Sequence, residues 1–143
     1  MPPAATFLTG EQVTIRAGLG LLTEPEADER AAARRELDGW LAMLAREGLL
    51  ANPAEATPQA FATALYGFLA RTPAMLIGVS LAEAVGGRRP QNVPGTVNEY
   101  PNWRIPLADG QGAPVLLEDL PAHEGVRAVA EAVSGDLRRG RAD

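Results

Sequence analysis

Lysine is absent from this chain: all thirteen basic residues are arginines. That removes the phosphate-gripping lysine of P-loops, the Schiff-base lysine and the kinase lysine together. Cysteine is absent too, which excludes disulfides and thiolate chemistry and leaves the redox compartment open. One histidine without cysteine leaves no zinc site of the usual His/Cys kind. No apolar run approaches the length of a membrane span, so no membrane partner is expected. The opening MPPAATFLTG lacks the charged start and apolar core of a signal peptide, which makes the cytoplasm the expected compartment. Basic charge is not in excess either. The net charge is −5 and the pI about 4.9, with no basic stripe to neutralise phosphates, so no nucleic-acid partner is expected.

What is present is the make-up of one soluble globular domain: 143 residues, 46% hydrophobic and 22% charged. The N-terminal residues carry an irregular apolar pattern broken by Gly10, Gly18 and Gly20, and a short helix is expected over about 10–19. Thr23 and Glu26 have capping-box spacing with Pro25 in the first turn, so a helix should start there and run to about Glu47. Leu37, Trp40, Leu41 and Leu44 recur at helical spacing and form its apolar stripe, with Trp40 as a core anchor. Gly48 is placed to end it as a left-handed cap. Thr57-Pro58 repeats the cap-then-proline start for a helix over about 58–71, its buried face made by Phe61, Leu65, Phe68 and Leu69. Gly67 inside that helix points to close packing.

Residues 74–79, AMLIGV, read as the one clear strand. A short, wholly apolar run suggests burial on both faces, as in a parallel sheet flanked by helices. A lone strand leaves its backbone donors and acceptors without partners, a hint that the domain is completed elsewhere. Ser80 is placed to cap a short helix after it. A glycine-rich turn over 108–113, a short helix or extended turn near 115–120, and a last helix over 122–133 with Val126, Val129, Ala130 and Val133 on one face complete the expectation. Residues 135–143 read as a solvated tail.

The most informative stretch is residues 86–107, GGRRPQNVPGTVNEYPNWRIPL. Prolines at 90, 94, 101 and 106 forbid a helix through it and push their predecessors to extended geometry. Long irregular loops in compact domains usually have a task. Two readings stand side by side. In one, Trp103 plugs a core gap and Pro94-Gly95 makes a turn. In the other, the loop faces a ligand, and its amides, hydroxyls and aromatic faces are groups that bind sugars.

Other candidate chemistry is thin. His123 reads as a surface histidine with no converging partner. Ser80 lies in a context that does not fit a nucleophile elbow. Gly86-Gly87-Arg88-Arg89 is either an anion cradle or a turn with two solvated arginines. Glu99 and Asp109 show no spacing that marks a catalytic pair and read as solvated or structural.

The run Arg89-Pro90-Gln91-Asn92-Val93-Pro94-Gly95-Thr96, followed by Glu99-Tyr100-Pro101-Asn102-Trp103-Arg104, resembles the C-terminal signature of the amylomaltase family, the bacterial 4-α-glucanotransferases. Both halves occur in order and at the right separation, and the resemblance extends over about residues 1–134. It implies an α/β fold, a C-terminal fragment of a (β/α)₈ TIM barrel, mostly helical, with 74–79 as the eighth strand. It implies disproportionating transfer of α-1,4-glucan segments between maltooligosaccharides without a cofactor or metal. Asn92, Pro94, Gly95 and Thr96 would then line a glucan subsite, and Tyr100 and Trp103 offer stacking faces, although Trp103 is expected to be buried under the loop. The family's three catalytic carboxylates precede the matched region, the third just ahead of an apolar-Pro pair that Met1-Pro2 resembles. No catalytic residue is therefore expected here, the isolated chain is expected to be inactive, and the missing N-terminal part of the barrel is an expected partner. The rival expectation is a small stand-alone helical binding module without catalysis.

Overall fold

The first helix begins directly after Pro3, whose carbonyl accepts the Phe7 N–H at 2.9 Å. In the computed structural model, which describes residues 2–139 and side chains as far as residue 135, the short helix expected over about 10–19 forms and a further helix precedes it. They are α1 (Ala4–Thr9) and α2 (Glu11–Gly18), split by Gly10 in the left-handed region at φ 73°. A six-residue helix is too short to show a period, which is why α1 was not legible.

Helix α3 (Glu26–Arg46) starts differently from the expected capping box. Pro25 is its N-cap and no side chain caps it. Thr23 instead gives its N–H and hydroxyl to Glu29 Oε1, at 3.3 and 3.2 Å. The C-terminal end is as expected. Gly48 has φ 69°, the Leu49 N–H reaches Leu44 O at 2.9 Å and the Gly48 N–H reaches Ala45 O at 3.0 Å, the paired bonds of a Schellman end.

Helix α4 (Pro58–Ala70) is the axis of the molecule. Thr57 Oγ1 accepts the Ala60 N–H at 3.2 Å, and Pro58 takes the first helical position. One side of α4 puts Phe61 and Leu65 into the main core with Phe7, Leu37, Leu44 and Leu50. The Phe7 and Phe61 rings stack with centroids 5.8 Å apart. Trp40 is half-buried at the rim, edge-on to Phe68 at 6.4 Å. The other side of α4 puts Tyr66 into a second cluster with Ala84 and Val129, flanked by Val126 and Val133. Gly67 is buried between neighbours as expected, whereas Leu69 is 41% exposed.

Helix α5 (Leu81–Ala84) is capped by Ser80 Oγ, which accepts the Glu83 N–H at 3.4 Å. A 3₁₀ segment, Leu117–Ala122, leads into α6 (Glu124–Arg139), which packs along α4. Helix α6 continues through residues 135–139 of the expected tail; residues 140–143 lie outside the described residues. No helix among the described residues is long and apolar enough to cross a membrane.

The expected strand at 74–79 does not form, whereas the mostly helical make-up expected of the chain does. Among the described residues there is no named strand, only an isolated bridge between Ala108 and Pro114. Residues 75–79 make no backbone hydrogen bond among the described residues. Met75 is 97% and Leu76 92% exposed. The reason is physical: a strand is defined by the neighbour that pairs with it, and no second extended segment lies beside this one.

Candidate functional site

The loop after α5 is built from two turns that brace each other. In the first, Pro94 and Gly95 occupy the central positions, Gly95 has φ 90°, and the Thr96 N–H returns to Val93 O at 3.3 Å. This is the residue pattern of a type II turn, where a positive φ at the third residue favours glycine. In the second, the Arg104 N–H returns to Pro101 O at 3.1 Å. Its third residue is Trp103 at φ 59°, the one non-glycine with positive φ among the described residues. A bulky residue there is strained and needs its surroundings to hold it.

Three contacts join the turns. Tyr100 Oη donates to Pro90 O at 2.7 Å. The Trp103 N–H donates to Gln91 O at 2.7 Å. The Asn102 side chain accepts the Val93 N–H at 2.8 Å and donates to Thr96 Oγ1 at 2.8 Å and Thr96 O at 3.2 Å.

This bracing sorts the residues singled out from the sequence. Asn92, Pro94 and Gly95 are exposed, and among the described residues the Asn92 side chain makes no hydrogen bond. Thr96 is turned into the turn, donating its hydroxyl proton to Val93 O at 2.7 Å. Tyr100 is buried at 8% exposure, so its ring is not a stacking face. Trp103 reverses expectation: it is 75% exposed, not buried under the loop. The turn geometry carries its side chain outward while its amide points in. Sequence reasoning missed Asn102. The signal available was an asparagine between two helix-breaking prolines, a residue whose head both donates and accepts.

Asn92 stands between two clefts. One, of about 490 Å³, also takes in Phe7, Gln12, Arg16, Glu29 and Pro94. The other, of about 410 Å³, takes in Ser80, Arg89, Gln91 and Trp103. In the first, Arg16 Nη1 pairs with Glu29 Oε2 at 2.8 Å. That guanidinium, with the Thr23 N–H, holds the Glu29 carboxyl below its ordinary value.

Nearby carboxylates are engaged in local structure. Glu99 Oε2 accepts the Val97 and Asn98 N–H groups at 2.8 and 3.0 Å, the Val97 bond first among the causes that lower its pKa. Asp109 Oδ1 accepts the Gln111 and Ala113 N–H groups, each at 2.9 Å. Gly86 and Gly87 spend their amides on Glu83 O and Ala82 O, and Arg88 pairs with Glu11 at 2.8 Å, so the segment is a turn rather than an anion cradle. His123 is half-buried at the start of α6 and its Nδ1 has no partner among the described residues. No group of three or more His, Asp or Glu suited to a metal occurs among the described residues.

The loop lies within the span that matches known proteins. Residues 2–111 match the profile of the 4-alpha-glucanotransferase family. The 4-alpha-glucanotransferases of Mycobacterium tuberculosis and Mycobacterium bovis are 49% identical over 133 residues. That alignment covers 93% of this chain and 18% of each relative. The crystal structure of amylomaltase from Corynebacterium glutamicum superposes with a TM-score of 0.83 at 34% identity, covering 93% of this chain and 20% of that one. The chain thus spans about a fifth of the length of these relatives, and over that span it belongs to the 4-alpha-glucanotransferase family.

Proposed function

We propose that this chain is the C-terminal sector of a (β/α)₈ barrel acting as a 4-α-glucanotransferase, and that its Pro-rich loop binds the glucan. The bare segment 74–79 carries the first half of this reading. From residue 75 to residue 79 its backbone lacks hydrogen-bond partners among the described residues, and Met75 and Leu76 lie almost wholly in water. An inner barrel strand looks like this when its neighbours belong to the N-terminal part of the barrel. A stand-alone helical module would have no cause to leave such a strip uncovered. On this reading residues 1–134 are the barrel segment and 135–143 a tail, and the whole works in the cytoplasm.

The loop supports the second half. Loops that follow barrel strands form the active-site face. Asn92 offers a free amide to a sugar hydroxyl of an α-1,4-glucan or maltooligosaccharide. Pro94 and Gly95 shape the subsite around it, and Thr96 holds the turn from inside. The exposed indole of Trp103 offers a stacking face beside it.

Retaining transfer needs a carboxylate nucleophile and an acid/base carboxyl about 5–5.5 Å apart. The nucleophile displaces the leaving glucan's 4-oxygen, which takes the acid's proton. The 4-hydroxyl of an acceptor sugar then displaces the nucleophile carboxylate from the sugar and gives its proton back to the acid/base carboxylate. Glu99 and Asp109 are committed to backbone amides, so we assign these roles outside this chain. Incubation of the purified chain with maltotriose is therefore expected to release neither glucose nor longer oligomers. Turnover by the chain alone would overturn the assignment.

A further inference from the structure

We propose that Asn102 is a positioning residue for glucan binding, locking the backbone on either side of the turn so that Asn92 is presented in one orientation. The proposal rests on the glucan-binding reading above. Its physical basis is the order in which peptide planes are held. Tyr100 Oη binds the Pro90 carbonyl, which fixes the plane entering Gln91. The Trp103 N–H binds the Gln91 carbonyl, which fixes the plane entering Asn92 and hence its φ. Asn102 Oδ1 takes the Val93 N–H at 2.8 Å, which fixes the plane leaving Asn92 and hence its ψ. With both planes held, the Asn92 Cα–Cβ direction has no freedom left.

Only one side-chain type completes this arrangement at position 102. Oδ1 serves as acceptor to Val93, while Nδ2 donates to Thr96 Oγ1 and Thr96 O across the far end of the turn. Asparagine supplies an acceptor and a two-proton donor on one short planar head. Aspartate lacks the donors and alanine lacks everything. The strained φ of Trp103 belongs to the same device, since it aims that residue's N–H at Gln91 while Asn102 faces Val93. The second half of the signature is thus the mould for the first, which explains in physical terms why the two occur together.

The test is a double-mutant cycle on the full chain, read by maltoheptaose affinity and by amide hydrogen exchange. Asn102→Ala is expected to speed Val93 amide exchange and to weaken maltoheptaose binding about tenfold each, the size of one or two net hydrogen bonds. In an Asn92→Ala chain, which has already lost the presented amide, Asn102→Ala is expected to weaken binding by less than about twofold more. A merely structural role would lower affinity by the same factor in both backgrounds. Asn102→Asp keeps the acceptor and loses the donors. It is expected to leave Val93 protected and maltoheptaose affinity within about twofold of wild type, and it is the variant to read if the alanine chain fails to fold: a tenfold loss of affinity with Val93 still protected would overturn the proposal. Equal losses in both backgrounds, or an Asn102→Ala affinity within about twofold of wild type, would overturn the proposal. A wild-type chain that binds no maltoheptaose refutes the glucan reading and with it this role for Asn102. Val93 exchange separates that outcome from failure of the clamp itself, because an intact clamp still loses Val93 protection in Asn102→Ala.

Discussion

Tyr66 Oη donates to Glu83 Oε2 at 3.1 Å, joining the buried side of α4 to α5. The same phenol oxygen accepts the Ser80 N–H at 3.0 Å, and the other Glu83 oxygen accepts the Ala4 N–H at 3.0 Å. One carboxylate and one phenol therefore tie α1, α4 and α5 together. Tyr66→Phe is expected to cost about 1–2 kcal/mol, lowering the thermal midpoint by roughly 2–8 °C in circular dichroism. Burial raises the Tyr66 pKa above its ordinary 10.0 despite the opposing pull of the Ser80 N–H. The folded state thus holds this proton more tightly than the unfolded chain. Its contribution is complete below pH 10.0 and is lost as pH rises through the folded pKa. The phenylalanine variant should lose less stability above that point than the native chain.

Glu29 behaves in the opposite sense. The Arg16 guanidinium, then the Thr23 N–H, lower its pKa from an ordinary 4.5. Its contribution is present above 4.5 and fades as pH falls through the lowered folded value. Thermal midpoints of native and Glu29→Gln chains should differ at pH 6 and converge as the pH falls below 4.5 through the lowered folded value. A gap that widens with acidification would contradict this.

Gly125 lies where α6 crosses the end of α5. A Cβ there would run into Ala84 O, and into Gln59 Oε1 at 2.5 Å, while Gln59 Nε2 donates to Gly125 O at 3.3 Å. The Ala84 carbonyl is backbone and cannot swing away. Gly125→Ala is expected to destabilise by about 1–3 kcal/mol, even though alanine is the better helix former by about 1 kcal/mol. Denaturant unfolding gives the value, and a stabilised variant would show that the approach is looser than the geometry states.

Met75 and Leu76 predict an insensitivity. Replacing both with serine should leave the stability of the isolated chain within about 0.5 kcal/mol, because neither is packed. The same change should reduce self-association in analytical ultracentrifugation, since it removes an exposed apolar strip. A marked loss of monomer stability would mean that the strip is already covered.

Much of the local architecture was legible in the residues. Gly48 ends α3 where expected, Thr57-Pro58 starts α4, Ser80 caps α5, and Pro94-Gly95 turns the chain. Each is settled by sterics and hydrogen bonds within a few residues. The errors share a different cause. Thr23 has the spacing of a cap, yet Arg16 from another helix draws Glu29 into a competing arrangement with it. Trp103 looked like a core residue by type, but a turn's third position sends its side chain outward. Leu69 fits the apolar stripe of α4, yet nothing packs over it fully. Asn102 was given no role beyond its place in the signature because its partners, Val93 and Thr96, lie nine and six residues back around two turns.

The sequence alone determined where α3 ends and where α4 and α5 start, which segment refuses to be helical, and the family whose double signature that segment carries. These depend on dihedral limits and neighbouring donors, which are written into adjacent residues. Only the tertiary structure decided that Tyr100 goes in and Trp103 goes out, that one asparagine braces both turns, and that residues 74–79 stay unpaired. Burial and strand pairing depend on what arrives from far along the chain, and no local pattern specifies that arrival.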